Sequence, residues 1–328
     1  MPDALVTGAS GFLGGALARG LVERGATVRV LARPTSDLRR LGDAEVDVVT
    51  GDLGDEASLA RALDGVEVLY HCAGRVTDWA PWKEFFEANV AGVERLLRAA
   101  ERTPSLQRVL HVSSTDVFGY PRVVPEAPEP DEATRIPYPR SKALGERVVQ
   151  AFVGRSGMPT TIVRPASIYG PGSVTLVRDV VQALRGGDMV HIRQGRAPAG
   201  LLYIDHAVEA IVKAATRPAA VGRAYALRDE APTTWRTYME ALAEGVGVPA
   251  PRLSLPEPVA LGAGWAMEQA HRLLRRPERP LLTRHAVLLL SRPQDFPIAP
   301  AKADLGFRTR VPFEQGIRRS LEWVRATA

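Results

Sequence analysis

A tyrosine and a lysine four residues apart, Tyr138 and Lys142, are the side chains whose types and spacing most clearly suggest chemistry. Their surroundings are typical of a helix, on which residues i and i+4 share a face. A free phenol, with a pKa near ~10, is a poor base at neutral pH, but a neighbouring ammonium group favours the phenolate and lowers that pKa. The pair therefore predicts proton exchange with a bound substrate. The alternative is an ordinary helix start with a solvent-exposed lysine.

A second chemical signal lies near the N-terminus, where Gly8, Gly11 and Gly14 follow a short apolar run, Ala4 to Val6, and precede a helical pattern. Strand, glycine turn and helix in this order place backbone N–H groups and a positive helix end against a pyrophosphate. Gly8 allows the tight turn, Gly11 the approach of a phosphate, and Gly14 close packing of helix on strand. A purely structural turn is the alternative. The predicted dinucleotide contacts here are Gly8, Ser10, Gly11, Phe12, Leu13 and Gly14.

Together with Ser114 after an apolar strand and Arg164-Pro165 further along, these motifs resemble the extended branch of the short-chain dehydrogenase/reductase superfamily over nearly the whole chain. Relative to Val117-Phe118-Gly119, Ser114 matches the family's catalytic hydroxyl. The resemblance implies catalysis by Ser114, Tyr138 and Lys142. The serine would bind the substrate oxygen, the tyrosine would transfer a proton, and the lysine would bind the ribose of a nicotinamide cofactor that gives or takes hydride.

The residues at the end of the second strand, Thr27 to Leu31, indicate which of the two nicotinamide cofactors is preferred. NAD-binding proteins carry an acidic residue at this strand end, which accepts hydrogen bonds from the adenosine ribose. No acid stands there, and Asp37 comes too late. Arg33 can instead form a bidentate, charge-assisted pair with a 2′-phosphate, so NADP(H) is favoured over NAD(H). NAD(H) stays the alternative if Arg33 is merely exposed, and Arg39 and Arg40 either assist or are exposed as well.

The resemblance implies further cofactor contacts. Asp52-Leu53 looks like the family's pair at the adenine, although Asp52 could also cap the next helix. Asn89, in Asn-Val-Ala-Gly, looks like the family's asparagine that supports the backbone near the catalytic lysine. Small residues after the fourth strand and the segment after Arg164 complete the expected set, which adds Ala73, Gly74, Pro165 and Ile168. No metal site is predicted.

Composition excludes several classes of protein. The chain has 328 residues, a net charge of +5 and a single cysteine, Cys72, so an intramolecular disulfide is ruled out. A reduced, cytoplasmic setting is expected. Neither a secretory leader nor an apolar run of ~18 residues occurs, so no transmembrane segment is expected. No basic run with interleaved aromatic residues occurs, so nucleic-acid binding is not expected either.

Alternating strands and helices up to about residue 170 predict an α/β fold with a doubly wound parallel sheet, the Rossmann fold. A smaller, mainly C-terminal substrate domain is expected beside it. We assign residues 1–170 and 201–230 to the dinucleotide-binding domain, and residues 171–200 and 231–328 to the substrate-binding cap.

Three segments could shape a substrate site. Trp79 and Trp82, in a loop after the fourth strand, predict either a lid over an apolar ligand or ordinary packing. The acidic, proline-rich stretch 119–137 is either a flexible flap or a substrate wall. Residues 255–290 are rich in apolar side chains and could cap a lipid-like substrate, contact a membrane surface as a peripheral protein, or simply pack. Homodimers are common in the resembled family, so a homodimer is also an expectation.

Arg33, the tryptophan loop and residues 255–290 resemble the 3β-hydroxysteroid dehydrogenase and dihydroflavonol reductase-like branches. The predicted function is NADP(H)-dependent interconversion of a secondary alcohol and a ketone on an apolar small molecule, which is steroid-, lipid- or polyketide-like. The first alternative is a nucleotide-sugar epimerase or dehydratase with tightly bound NAD, using Arg178, Arg193 or Arg196 for the nucleotide diphosphate. The second is a cofactor-sensing binding protein without turnover.

Overall fold

The computed structural model describes residues 3–327 and is built around one parallel sheet. Its strands are β1 Ala4–Thr7, β2 Val28–Ala32, β3 Val46–Thr50, β4 Val68–His71, β5 Arg108–Val112, β6 Thr160–Pro165, β7 Ser167–Tyr169, β8 His191–Ile192, β9 Leu201–Tyr203, β10 Ala224–Leu227 and β11 Ser254–Leu255. Seven of them form the sheet in the order β10-β6-β5-β4-β1-β2-β3. The strand order reverses between β1 and β4, and ligands of such sheets bind at the carboxyl ends beside this reversal.

Helices cover both faces of the sheet. They are α1 Phe12–Val22, α2 Glu56–Leu63, α3 Trp82–Phe86, α4 Gly92–Ala100, α5 Pro137–Ser156, α6 Asp179–Gly186, α7 Ile204–Thr216, α8 Trp235–Val246, α9 Glu257–Leu273, α10 Arg284–Ser291, α11 Ala299–Leu305 and α12 Phe313–Ala326. The predicted doubly wound α/β fold is confirmed. No helix within residues 3–327 is both long and apolar enough to cross a membrane.

The two faces of the sheet bury separate apolar clusters. Neighbouring residues of a strand point to opposite faces, and β1 shows this directly. Val6 packs in one cluster with Leu17 of α1 and Ile211 of α7, whereas Leu5 packs in the other with helices α2, α4 and α5. Burial on both faces explains why the strands read as continuous apolar runs rather than as alternating patterns.

The main departure from the expected elements lies after β4. The amphipathic pattern from Glu84 to Arg102 predicts a single helix, but a π-helical turn, Glu87–Ala91, separates α3 from α4. The helix also begins earlier than expected, at Trp82. The π-turn carries Asn89 and positions its side chain for the contacts described below.

The C-terminal half adds two small parallel sheets beside the main one. Strand β9 pairs with β7, and β11 pairs with β8, which joins residues 254–255 to residues 191–192. Strand β10 pairs with β6 and extends the main sheet. The division into a dinucleotide-binding domain and a substrate-binding cap stays a prediction.

Candidate active site

Three of the predicted residues meet at the carboxyl end of β5. Ser114 follows this strand and accepts a hydrogen bond from the Asp116 amide at 3.2 Å, which begins a short 3-10 helix. Tyr138 lies in the first turn of α5 and is only 6% exposed. Lys142, one turn later, donates from Nζ to the Val112 carbonyl at 2.8 Å. The structure therefore brings a hydroxyl, a phenol and an ammonium group together in a buried place.

Burial and neighbouring charges shift the pKa values of Tyr138 and Lys142. Burial raises the pKa of Tyr138, the Asp116 carboxylate raises it further, and the hydrogen bond with Ser114 opposes them only in part. Lys142 is not among the groups that shift this pKa, because its ammonium group is directed at the Val112 carbonyl, so the lowering expected from Lys142 beside a bound nicotinamide stays a prediction. Burial lowers the pKa of Lys142 to about 8, against the opposing charge of Glu146.

The glycine turn between β1 and α1 suits a phosphate group. Gly8 has φ +76°, and a Cβ there would lie 2.7 Å from the Ala73 nitrogen. A Cβ at Gly14 would collide with the Gly8 carbonyl. Gly11 is the N-cap of α1, no side chain caps this helix end, and its first turn carries no acid. The start of α1 therefore fits an anionic pyrophosphate. Of the other predicted contacts, Ser10, Phe12 and Leu13 are all half-buried in this turn.

The residues after β4 lie beside the glycine turn. The Ala73 amide donates to Thr7 Oγ1 at 3.2 Å, and Gly74 has no room for a Cβ beside Asn89 Oδ1. Asn89 accepts from the Arg75 amide at 2.7 Å and donates to Ser141 Oγ at 2.9 Å. The Asn89 side-chain amide is thus engaged by hydrogen bonds within the protein. These bonds join the loop after β4 to Ser141, the residue preceding Lys142. The Asn89 side chain thus holds this loop against α5, and its expected cofactor contact stays a prediction.

Arg33 follows β2 directly and is exposed at the carboxyl end of the sheet. Its side chain makes none of the hydrogen bonds or ion pairs found within residues 3–327. Arg40, which the sequence left open, is half-buried and donates to the Gly172 carbonyl at 2.8 Å. A Cβ on Gly15 of α1 would contact the Arg40 side chain. Arg40 therefore lies beside the glycine turn, whereas Arg39 pairs with Asp37 at the surface.

Asp52 and Leu53 form the turn between β3 and α2. Asp52 accepts from the Gly54 amide at 2.8 Å, and the Leu53 carbonyl accepts from Arg95 Nε at 2.8 Å. The cap of α2 is Asp55, which accepts from the Ala57 amide at 3.0 Å. Asp52 is exposed and does not cap the helix, so its expected contact with the adenine stays a prediction.

Pro165 ends β6 of the main sheet, and Ile168 lies in β7 of the small sheet formed with β9; their expected contacts with the nicotinamide stay predictions. Arg164, beside Pro165, forms a bidentate and buried ion pair with Glu146 of α5, with its shortest N–O distance 2.6 Å. The guanidinium also lies 4.8 Å above the Phe118 ring. This arrangement attaches α5, which carries Tyr138, rigidly to the sheet.

Three residues that the sequence analysis did not single out complete the surroundings of Tyr138. The His285 ring of α10 stacks on the Tyr138 ring, with centroids 5.8 Å apart and planes inclined by 27°. Tyr120 lies 5.7 Å from His285 by ring centroids and donates its hydroxyl to Asp116 Oδ1 at 2.9 Å. Asp116 was detectable in principle, as it lies two residues after Ser114. No signal in the sequence indicated His285.

The tryptophan loop packs against the C-terminal segment. Trp79 contacts His271 edge-on at 6.1 Å, and the Arg272 guanidinium lies 5.3 Å above the Trp79 ring. Asp78 of the same loop pairs with Arg279 at 2.6 Å. The loop and the segment around α9 therefore form one continuous cover beside the buried Tyr138.

The arginines proposed for a nucleotide diphosphate do not converge. Arg178 lies over the Trp323 ring at 6.0 Å, and Arg193 donates to the Ser291 carbonyl at 3.2 Å. Arg196 is exposed. His71, at the end of β4, is buried and hydrogen-bonded to Thr7, and burial lowers its pKa to about 3.

A family model, named relatives and a solved structure each match more than half of the chain. The family model described as "NAD dependent epimerase/dehydratase family" matches residues 4–227. The 2-alkyl-3-oxoalkanoate reductase of Stenotrophomonas maltophilia is 32% identical over 324 residues, which cover 96% of this chain and 97% of that protein. The 3 beta-hydroxysteroid dehydrogenase/Delta 5-->4-isomerase of Mycobacterium tuberculosis is 29% identical over 337 residues, covering 97% and 89%. The crystal structure of gox2253 superposes with a TM-score of 0.83 at 26% identity, covering 100% and 99% of the two chains.

Proposed function

The chain belongs to the NAD dependent epimerase/dehydratase family and is an NAD(P)-dependent oxidoreductase, and from this premise we propose that it interconverts a secondary alcohol and a ketone on an apolar small molecule, with NADP(H) as the preferred cofactor. The buried cluster of Ser114, Tyr138 and Lys142 carries the proposal. In it a hydrogen-bond donor, a proton donor and a fixed positive charge converge at one edge of the sheet, where this fold binds ligands.

A bound nicotinamide would supply or accept the hydride that this reaction requires. The start of α1, with Gly11 at its N-cap, would hold the pyrophosphate. Arg33 would pair with a 2′-phosphate, and Arg40 is near enough to the glycine turn to add charge there. The absence of an acid after β2 supports NADP(H) over NAD(H).

In ketone reduction, carbon gains a hydride and oxygen gains a proton, and the residues of this chain act on the oxygen. Ser114 donates a hydrogen bond to it and orients the carbonyl. Tyr138 is protonated at neutral pH because burial raises its pKa, so the phenol is ready to give its proton to the developing alkoxide. The Lys142 ammonium then stabilises the phenolate that remains. Alcohol oxidation is the reverse of these steps.

Two observations support an apolar substrate. The relatives include a reductase of 2-alkyl-3-oxoalkanoates and a dehydrogenase of steroids. Both of these substrate classes are rich in hydrocarbon. The cover beside Tyr138 includes Trp79, and the adjoining helices α9 and α10 share an apolar cluster that contains Ala260 and Val287. A nucleotide sugar is disfavoured because Arg178 and Arg193 are engaged elsewhere. A binding protein without turnover is disfavoured because the catalytic residues are all present.

Peripheral membrane contact is part of this proposal. At the end of α9, Leu273 and Leu274 are 84% and 61% exposed, and Leu281 is 71% exposed. Arg275 and Arg276 are exposed among them and pair with no carboxylate within residues 3–327. Apolar side chains bordered by arginines suit an anionic bilayer surface. Co-sedimentation with anionic vesicles, weakened in the Leu273→Ser/Leu274→Ser variant, is the measurement that checks it.

The deciding experiment uses Tyr138→Phe, which removes only the phenolic oxygen. We expect turnover of NADPH with apolar ketones to fall by at least ~100-fold, because general acid catalysis is lost, while NADPH affinity changes less than about twofold. Tyr169→Phe is the matched control, since Tyr169 is also buried and its hydroxyl has no hydrogen-bond partner within residues 3–327. Unchanged turnover in Tyr138→Phe would refute the mechanism. Tightly held NAD in the purified protein would favour the epimerase alternative.

A further inference from the structure

His285 is a buried imidazole placed against the proposed proton donor. It is 7% exposed, and within residues 3–327 neither ring nitrogen has a partner. Its ring stacks on Tyr138 at 5.8 Å. The Asp116 carboxylate approaches Nε2 only to 4.0 Å, beyond hydrogen-bond distance.

The polar neighbours of His285 are already engaged with one another. Tyr120 donates to Asp116 at 2.9 Å. Thr283, the N-cap of α10, accepts from the Ala286 amide at 3.1 Å and donates to Asp78 at 2.7 Å. Asp78 is in turn paired with Arg279. The imidazole therefore has unused donor and acceptor capacity, which folded proteins seldom leave unmatched in a buried place.

The position of the ring limits what can use that capacity. A ligand whose reacting oxygen lies at Ser114 and Tyr138 reaches the His285 ring only with a group a few bonds away. The groups that face the imidazole are the two aromatic rings of Tyr120 and Tyr138 and the carboxylates of Asp116 and Asp78. None of these groups forms a hydrogen bond with the His285 imidazole.

We propose that His285 determines specificity by binding a second oxygen of the substrate, carried on the carbon next but one to the reacting carbonyl. The preferred substrates are then 3-oxo acids, their esters or equally oxygenated ketones, rather than simple ketones. This inference rests on the proposed function, in which Ser114 and Tyr138 hold the reacting oxygen. The imidazole can donate and accept, so carboxylate and ester oxygens share the chemistry it recognises.

The test measures binding, so that it does not depend on turnover. In the Tyr138→Phe background, which keeps the aromatic stack, 3-oxododecanoate, its methyl ester and 2-undecanone are titrated by calorimetry in the presence of NADPH. We expect one or both oxygenated probes to bind about tenfold tighter than 2-undecanone. Adding His285→Leu should reduce this preference to within about twofold, and His285→Gln should retain part of it. If only the acid binds more tightly than 2-undecanone, His285 recognises a carboxylate. If the acid and the ester both do, His285 recognises an oxygen that need not be charged.

His191→Leu is the matched control, because His191 is also buried and unpartnered but lies in β8. Its probe preference should equal that of the background. The inference is overturned if the background shows no preference, if the preference survives His285→Leu, or if His191→Leu abolishes it equally. Should His285→Leu fold poorly by its melting temperature, the Gln variant decides in its place. Failure of the proposed function would show separately, as absent turnover in protein with Tyr138 intact.

Discussion

Asp78 and Arg279 form a bidentate ion pair in which the guanidinium Nε and Nη2 each donate to a carboxylate oxygen at 2.6 Å. Asp78 lies in the loop after β4, and Arg279 lies in the segment before α10. Burial of Asp78 raises its pKa, but the bonds from Arg279 and Thr283 outweigh this and lower it. The pair therefore joins the cofactor side of the site to the helix that carries His285.

The first prediction concerns this connection. Arg279→Ala should raise KM for the ketone by about tenfold while kcat changes less than about twofold, because the cover no longer holds the substrate in place. Stability should fall little, since the Arg279 side chain is 48% exposed. Steady-state kinetics and a melting curve check this. Arg98→Ala, which breaks the exposed pair with Glu94 on α4, is the control and should leave KM unchanged. An equal KM in both variants would count against the role of the Asp78–Arg279 pair in holding the cover over the substrate.

The second prediction concerns Arg164 and Glu146, whose ion pair is buried and bidentate. Arg164→Met should lower the free energy of unfolding by about 3–5 kcal/mol, because Glu146 then remains buried without its counter-charge. Adding Glu146→Leu should recover part of this loss, since the double variant buries no charge. Urea denaturation measures both. A loss below ~1 kcal/mol in the single variant would show that Glu146 finds another partner or water.

The parallel sheet explains why much of the site could be predicted from the sequence. Apolar runs indicated the strands of the main sheet up to β6, and the apolar strand expected before Ser114 is β5, Arg108–Val112. Because the carboxyl ends of parallel strands meet at one edge, a hydroxyl following β5 and a helix-start Tyr/Lys pair had to come close. The glycine spacing likewise predicted the turn that precedes α1.

What could not be predicted depends on contacts between distant segments and on burial. His285 and Arg279 reach the site because α9 and α10 pack beside the loop after β4, and helical periodicity does not encode such packing. The Asn89 side chain, on the π-turn, forms hydrogen bonds with Arg75 and Ser141, which are distant in sequence and which no local pattern predicts. The pKa of Tyr138 is raised by burial, a property that the spacing from Lys142 does not reveal.

The third prediction concerns the cofactor. Arg33→Ser should raise KM for NADPH by about tenfold or more and leave KM for NADH nearly unchanged, because only NADPH carries the 2′-phosphate that the guanidinium would bind. Initial rates with both cofactors give the ratio. Arg318→Ser, on the exposed face of α12, removes the same net charge and should not alter the preference. An unaltered ratio in Arg33→Ser would refute the assigned role of Arg33.

The last prediction concerns pH, because burial lowers the pKa of Lys142 from 10.5 to about 8. Above pH 8 the folded protein loses this ammonium group, so kcat/KM for ketone reduction should fall as pH rises through about 8. Between pH 8 and pH 10.5 the unfolded chain still holds the proton that the folded protein has released. The contribution of Lys142 to the free energy of unfolding therefore increases with pH over this window, opposite in direction to activity.

Two measurements over the same pH range distinguish the titration of Lys142 from that of its neighbours. The kcat/KM profile at saturating NADPH gives the descending limb, and urea denaturation at the same pH values gives the stability. Buried groups beside the ammonium titrate elsewhere, since the pKa of His71 is about 3 and that of Cys72 is about 12. The raised pKa of Tyr138 keeps the phenol protonated throughout the limb. A kcat/KM that stays level up to pH 10.5 would show that the ammonium form of Lys142 is not required.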